Sequence, residues 1–372
     1  MLIEEVGSRK SQQEFLDVAR VIYKNDPNWV CPLDDMVAAV FDPKKNNFHS
    51  HGSSKRWILR DDSGALIGRI GAFVNELKAY TYEQPTGGIG FFECINDYAA
   101  AELLFNTAKD WLETKGMKAM DGPINFGEND TFWGLLVEGF IQPSFGMNYN
   151  HPYYQQFFEK YGFETQYEQI TNHLDITKPF PERFRKIAGW VIKKPGYTFE
   201  HLKASNFDKY ASDFMEIYND AWKGFENFVP ITKETMLESF EKMKPIMDEK
   251  LIWFAYVDGE PASFVITLPD ANQIIKPLKG KLNLIGKLKF VYYRWKGASR
   301  MRAVVMGTKQ AYQKHGLESA LFIKLGEYVL PLNRYKELEL SWVGDFNEKM
   351  LALHAAMGAT FGKKHLTMRK VF

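Results

Sequence analysis

Apolar residues in the stretch 11–24 (SQQEFLDVARVIYK) recur close to every 3.6 positions: Phe15, Val18, Ala19, Val21 and Ile22 share one stripe, and Ser11 stands ahead of them as a candidate N-cap. The spacing predicts an amphipathic helix. Over 56–74 the pattern changes to two apolar runs on either side of Asp61-Asp62-Ser63-Gly64, which predicts a β-hairpin with Asp and Gly supplying the turn. A short apolar run, 89–95 (IGFFECI), leads straight into helical spacing from Tyr98 to Lys115, ended by Gly116. Residues 117–150 break both periods with Gly, Asn, Asp and Pro, forming a long irregular segment of the kind that carries function or builds an interface. A helix over 152–161 and a strand ending near Ile176 close this half.

The second half repeats that order. A strand is expected at 197–202, a helix at 206–223, and a hairpin over 251–268 turning at Asp258-Gly259-Glu260-Pro261. A strand through Ala303, Val304, Val305 and Met306 follows. Then come a helix over 316–329, a strand over 337–343, a helix over 347–357 and a final strand near 364–370. The two series are offset by roughly 190 residues, a repeat of pattern rather than of sequence. Pro179, Pro181 and Pro195 mark the junction at 177–195, giving two domains, 1–178 and 195–372.

Length agrees with that division, because 372 residues exceed one ordinary core and fit two. Lysine and arginine number 47 against 46 acidic residues, so no net field would hold a polyanion, and nucleic acid is a disfavoured partner. Cys31 and Cys94 are the two cysteines; they give neither a disulfide framework nor a metal-ligand cluster, and His49 and His51 lack metal-site spacing. No metal is assigned. The start Met1-Leu2-Ile3-Glu4-Glu5 lacks a basic, then apolar leader, and no run of about 18 apolar residues occurs. A cytoplasmic protein without a membrane span is expected.

The element order resembles the GNAT (Gcn5-related N-acetyltransferase) fold, and local motifs agree best in the second half. The stretch Gln313-Lys314-His315-Gly316-Leu317-Glu318-Ser319 is similar to the family's [RQ]-x-x-G-x-[GA] turn, and Asn347 and Gly358 sit at the spacing of its N-x-x-A-x-x-x-Y-x-x-x-G signature. In that family the turn opens a helix whose free amides hold the pyrophosphate of coenzyme A, since unpaired donors and the positive end of the macrodipole attract an anion. The resemblance implies two GNAT-like folds in tandem. Each is α/β (α+β), a mixed, mostly antiparallel twisted sheet flanked by helices. It implies an acetyl-CoA or other acyl-CoA site in the C-terminal domain. Backbone groups of Val305, Met306 and Gly307 would hold the pantetheine arm. Gln313, Lys314, Gly316, Leu317, Glu318, Ser319 and Asn347 would complete the cofactor site. Glu318 stands where the family has Gly or Ala. His354 takes the tyrosine position and is the candidate proton donor, with Glu337 and Glu339 as lesser candidates for a base.

In the first half, 151–163 (HPYYQQFFEKYGF) resembles the same signature with Phe158 at the tyrosine position, and Asp97 stands where a phosphate would sit. That domain is expected to have lost its cofactor site. The wider pattern, including GPINFGENDTFWGLLVEGF and SWVGDFN, resembles bacterial proteins of unassigned function classed with acyltransferases. The activity implied is acyl transfer to a small-molecule or peptide amine. Two alternatives stay open: a Fem-like aminoacyl or peptidyl transferase, with tRNA as partner, and a non-catalytic ligand-binding protein.

Two segments fall outside these motifs. Asp121 to Asp130 clusters polar side chains beside glycines, followed by Trp133, Phe140, Phe145, Tyr149, Tyr153 and Tyr154, a composition suited either to a pocket or to packing between domains. Residues 276–302 interleave Lys and Arg with aromatic and aliphatic residues. They suit a phosphate, an acidic substrate, a membrane surface or merely a solvated amphipathic helix.

Overall fold

The structure, a computed structural model, describes residues 1–224 and 230–372. In the first half the chain runs β1 (Leu2–Glu5), α1 (Arg9–Ile22), α2 (Asp34–Val40), β2 (Gly52–Arg60), β3 (Leu66–Asn75), α3 (Glu76–Ala79), β4 (Thr86–Cys94), α4 (Tyr98–Thr114), β5 (Ala119–Gly122), β6 (Leu135–Glu138), α5 (Tyr154–Tyr161) and β7 (Glu164–Asp175). The second half runs α6 (Glu182–Ile192), β8 (Tyr197–His201), α7 (Phe207–Trp222), α8 (Lys233–Met243), β9 (Ile252–Val257), β10 (Glu260–Pro269), α9 (Ala271–Ile275), α10 (Leu284–Lys296), β11 (Arg300–Thr308), α11 (Leu317–Leu332), β12 (Glu337–Gly344), α12 (Glu348–Ala356) and β13 (Thr360–Val371).

Helix α1 starts earlier than its apolar stripe suggests. The Ser8 hydroxyl accepts from the Ser11 amide at 3.0 Å while the Ser11 hydroxyl accepts from the Ser8 amide at 3.1 Å. This reciprocal capping box makes Ser8 the cap and puts Ser11 inside the first turn. The junction is also more structured than its prolines imply. It carries α6, which buries Phe184, Ala188 and Val191 against α11.

The strands form one sheet in the order β1-β2-β3-β4-β5-β13-β7-β12-β11-β10-β9-β8, with β6 also pairing β13. Each half contributes four antiparallel strands and a fifth that runs parallel to the fourth, β5 beside β4 and β12 beside β11. The last strands are exchanged. β7, from the first half of the sequence, pairs with β12, whereas β13 pairs with β5, and β7 and β13 pair with each other at the centre. Leu366 and Met368 of β13 therefore complete the first core, and Leu174 of β7 with Ile176 just after it completes the second. At about 1.5–3 kcal/mol for each fully buried aliphatic side chain, neither half closes its core alone. The proline-marked boundary divides the chain but not the sheet. Arg369 on β13 seals the exchange with a two-pronged bond to Asp121 on β5, at 2.6 and 2.8 Å.

Candidate functional site

In both halves the fourth strand carries an extra residue and then parts from the fifth. On β11, Val305 faces Ile266 and Ala303 faces Thr267, so Val304 is the inserted residue. The parallel ladder to β12 ends at Ala303 and Leu340. Beyond it, the Ser341 hydroxyl donates to the carbonyls of Ala303 and Val304, which pins the point of divergence. From there Val305, Met306 and Gly307 keep β10 on one side and have no strand partner on the other among the described residues. That unpaired backbone edge can pair with an extended amide-bearing chain.

Past β11 the chain turns through Gln313 and Lys314, both exposed, into α11. Gly316 caps the helix in the left-handed region, φ +76°. Among the described residues no acceptor meets the amides of Lys314, Gly316, Leu317, Glu318 or Ser319. Those donors, with the helix dipole, would suit a diphosphate. Glu318 opposes it: its carboxylate accepts from the Thr308 hydroxyl at 2.6 Å, which ties an anion beside the amide row. Lys309, a candidate to offset that charge, pairs with Glu216 instead. A side chain at Gly316 would meet Val191 of α6 at 3.1 Å, so that glycine serves helix packing as well as the turn.

Two other predicted positions have local duties. Asn347 caps α12 by accepting from the Met350 amide at 3.2 Å. His354 is buried against Asn172 of β7, 3.2 Å from its side-chain nitrogen, and burial lowers the ring's pKa to about 4. The imidazole is therefore neutral near pH 7.

Glu339 and Glu337 lie on a polar face of the sheet. Glu339 accepts from Ser144 and from Lys363, and His173 lies 3.2 Å from it and also pairs with Glu337. Burial pushes the Glu339 carboxyl up, but the charge of Lys363 and the bond from His173 more than offset it and hold it well below the usual range. A carboxylate held that firmly ionised is a weak base. It joins three strands of the exchange, β12, β7 and β13. Next to it Arg300 grips Asp270 at 3.0 and 2.8 Å and donates to the carbonyls of Gln142 and Pro143. The 139–147 segment is thereby clamped over the sheet.

The corresponding gap in the first half is filled. Phe91, φ +53°, is the extra residue of β4, and β4 leaves β5 after Gly88. Here the free edge is occupied: Tyr154 accepts from the Cys94 amide and Tyr153 donates to the Cys94 carbonyl, both at 2.8 Å. The Asp97 carboxylate takes the Ala99 amide at the start of α4, at 2.9 Å. Behind the tyrosines Glu93 is buried, held by Tyr23 at 2.6 Å, Tyr154 at 2.9 Å and Arg69 at 3.4 Å. Burial raises its pKa, and these donors offset only part of that. A cleft remains in front of it, lined by Phe132, Phe145, Tyr149 and Asn150 from the irregular segment, with Asn272 and Ile275 of α9.

The irregular segment also reaches the second half. Tyr218 of α7 has its hydroxyl pKa raised by burial and then by the charges of Glu128 and Asp130, which brings this acidic lip to α7, the helix whose Trp222 packs over Gly307 on β11. Sequence spacing did not single out Glu93, Tyr23, Lys363 or His173. An acid inside the apolar run 89–95 was the available signal for the first, because a carboxylate enters a buried strand only with partners.

Two successive strand sets of this kind within one sheet, each with a strand-four bulge and a gap before strand five, define the tandem GNAT fold. No family model matches the chain. It is similar to a tandem GNAT protein from the clavulanic acid biosynthesis pathway, with 14% identity and a TM-score of 0.60, covering 100% of this chain and 98% of that one. It is similar also to a GCN5-related N-acetyltransferase from Sphaerobacter thermophilus, with 10% identity, a TM-score of 0.53 and coverage of 100% and 95%. These likenesses establish the fold. In sequence it is similar to a bacterial ceramide synthase of Caulobacter vibrioides (strain NA1000 / CB15N), 29% identical over 371 residues spanning 96% of this chain and 94% of that protein. Protein YghO of Escherichia coli (strain K12) is 26% identical over 381 residues, covering 99% and 95%.

Proposed function

We propose that this protein is an N-acyltransferase that takes an acyl group from an acyl-CoA thioester in the second-half gap and passes it to the amine of a long-chain amphiphile. The observation that carries the reading is the free edge of β11 beyond Val304, in a chain similar from end to end to a bacterial ceramide synthase. Ceramide is by definition an amide of a fatty acid with a long-chain amino alcohol, so its formation is acyl transfer to nitrogen.

The backbone of Val305, Met306 and Gly307 would align the donor's amide-bearing arm. The amides of Lys314, Gly316, Leu317, Glu318 and Ser319 would face its diphosphate. Glu128, which also pairs with Lys78, and Asp130 would draw the acceptor's ammonium to the mouth, where it gives up a proton to solvent before attack. The amine nitrogen then bonds to the thioester carbon, the carbon–sulfur bond breaks, and the proton shed by the nitrogen as the amide forms is balanced by the one the departing thiolate takes up to leave as free thiol. Rate comes from alignment and carbonyl polarisation rather than from a covalent enzyme intermediate.

The test has two arms. Thermal shift with acetyl-CoA, palmitoyl-CoA and free coenzyme A reads binding to the native state, and thiol release with long-chain amino alcohols against short amines reads turnover. A shift with coenzyme A and release selective for long-chain acceptors are expected. No shift at millimolar ligand would sink the proposal. A second reading, ligand binding without turnover, is favoured by the Glu318 carboxylate beside the amide row; it predicts a shift without thiol release with any amine.

A further inference from the structure

Helix α10 exposes apolar side chains that a water-facing helix normally hides. Leu284 is 77% exposed, Leu288 67%, Val291 65% and Trp295 82%, with Ile285 and Tyr292 beside them. At 3.6 residues per turn these positions form one stripe. Lys289 and Lys296 border it on one side and Lys287 and Arg294 on the other. The opposite face holds the helix to the protein: Phe290 packs with Val30, Ile275 and Leu278. Asn283 caps the start by accepting from the Gly286 amide at 2.9 Å. The stripe therefore points away from the body on a helix anchored from behind.

Charge identifies what covers it. No acidic residue occurs between Asp270 and Glu318. Lys279, Lys281, Lys287, Lys289, Arg294 and Lys296 are all exposed, and none forms an ion pair among the described residues. A chain carrying only a single net positive charge thus concentrates unpaired cations around one apolar stripe. A nucleic acid would use the cations but leave Leu284, Leu288 and Val291 in water. A lipid surface uses both, the stripe in the acyl boundary and the flanking bases at the headgroups, with Trp295 and Tyr292 at the interface. No described helix is long and apolar enough to cross a membrane, so the contact lies in the plane of the surface.

We infer that α10 is an interfacial helix that docks this protein on an anionic lipid bilayer. The inference rests on α10 and its surroundings, not on the acyl-transfer reading. It gives that reading a geometry, because α9, directly ahead of α10, lines the cleft in front of Glu93 through Asn272 and Ile275.

The test is flotation of the full-length protein with vesicles of phosphatidylcholine alone or with about one third phosphatidylglycerol. Wild type is expected to float with the anionic vesicles, to float at least tenfold less with neutral ones, and to be released by high salt. L288E/W295E removes the stripe and K287E/R294E reverses one flank. All four sites are exposed, and each variant should keep the wild-type melting temperature while losing at least tenfold in vesicle binding. Failure of wild type to float, or undiminished flotation of both variants, overturns the inference. So does a lipid-free dimer that L288E/W295E converts to monomer, since the stripe would then be covered by a second copy. Vesicle binding without any acyl transfer would leave docking standing and remove only the enzymatic reading.

Discussion

The two halves build the same gap between their fourth and fifth strands and use it in opposite ways. In the second half the edge beyond Val304 is unpaired among the described residues and leads to a row of amides that none of them meets; in the first, Tyr153 and Tyr154 take the Cys94 carbonyl and amide, and Asp97 caps the following helix. The first-half gap is filled by side chains of its own chain, whereas the second-half edge stays open among the described residues. Their buried glutamates diverge as well. Glu339 is held ionised by Lys363, whereas Glu93 sits among tyrosine hydroxyls with its pKa raised by burial.

The sharpest challenge to that contrast is Lys363→Met. It strands the Glu339 carboxylate, fully buried, and breaking a buried pair by removing one partner typically costs about 3–5 kcal/mol. Urea unfolding at pH 7 reads the loss, and adding Glu339→Leu should recover much of it. The sign with pH follows. A depressed carboxyl contributes stability above its unfolded pKa and loses it as pH falls through the folded one, so the variant should unfold at higher pH than wild type. Glu93, being raised, behaves in the opposite sense, stabilising on the acid side and losing that contribution as pH rises. If K363M unfolds like wild type, the Lys363–Glu339 pair adds nothing to holding the exchanged strands together.

Tyr154→Phe tests the filled gap. It removes a donor to Glu93 and the acceptor for the Cys94 amide, at about 1–3 kcal/mol for the group left unsatisfied. Coenzyme A binding should not change, because the variant touches only the first-half edge. A change in affinity would mean that the two grooves communicate.

Glu318→Ala acts on the other side of the comparison and is milder. It removes a carboxylate from the first turn of α11 without adding a flexible glycine, and coenzyme A should bind about three- to tenfold tighter by calorimetry. Weaker binding would mean that Glu318, by orienting Thr308, is part of the site. Gly316 is the poorer probe, since any side chain there strains a left-handed turn and crowds Val191.

How much of this was legible follows from the kind of signal each feature leaves. Hairpins, the long helix after 89–95 and the two-fold order of elements come from local period and turn chemistry, and the structure has them. The α11 turn was found because Gln313 and Gly316 stand at a fixed local spacing. The strand exchange leaves no such trace: β7 and β13 look the same in sequence whether they pair with their own half or the other. Partners such as Glu93 with Tyr23, or Lys363 with Glu339, are equally silent, because cross-chain pairing is decided by topology. The sequence points to Ser11 as the cap, where the structure has Ser8, because both members of the Ser8–Ser11 box are serines.

The smallest expected effect separates resemblance from mechanism. The resemblance would put a proton-donating tyrosine at His354, yet the ring is buried, faces Asn172, and has its pKa lowered to about 4 by that burial. A group neutral across pH 6–8 cannot supply a proton as imidazolium in that range. His354→Gln preserves an acceptor for the Asn172 amide, so thiol-release turnover should fall by less than about threefold with an unaltered pH profile. A hundredfold loss, or the disappearance of one limb of the profile, would reinstate the histidine as the acid. It would also require α12 to move during turnover, because only a rearranged helix could bring that ring to the thiolate.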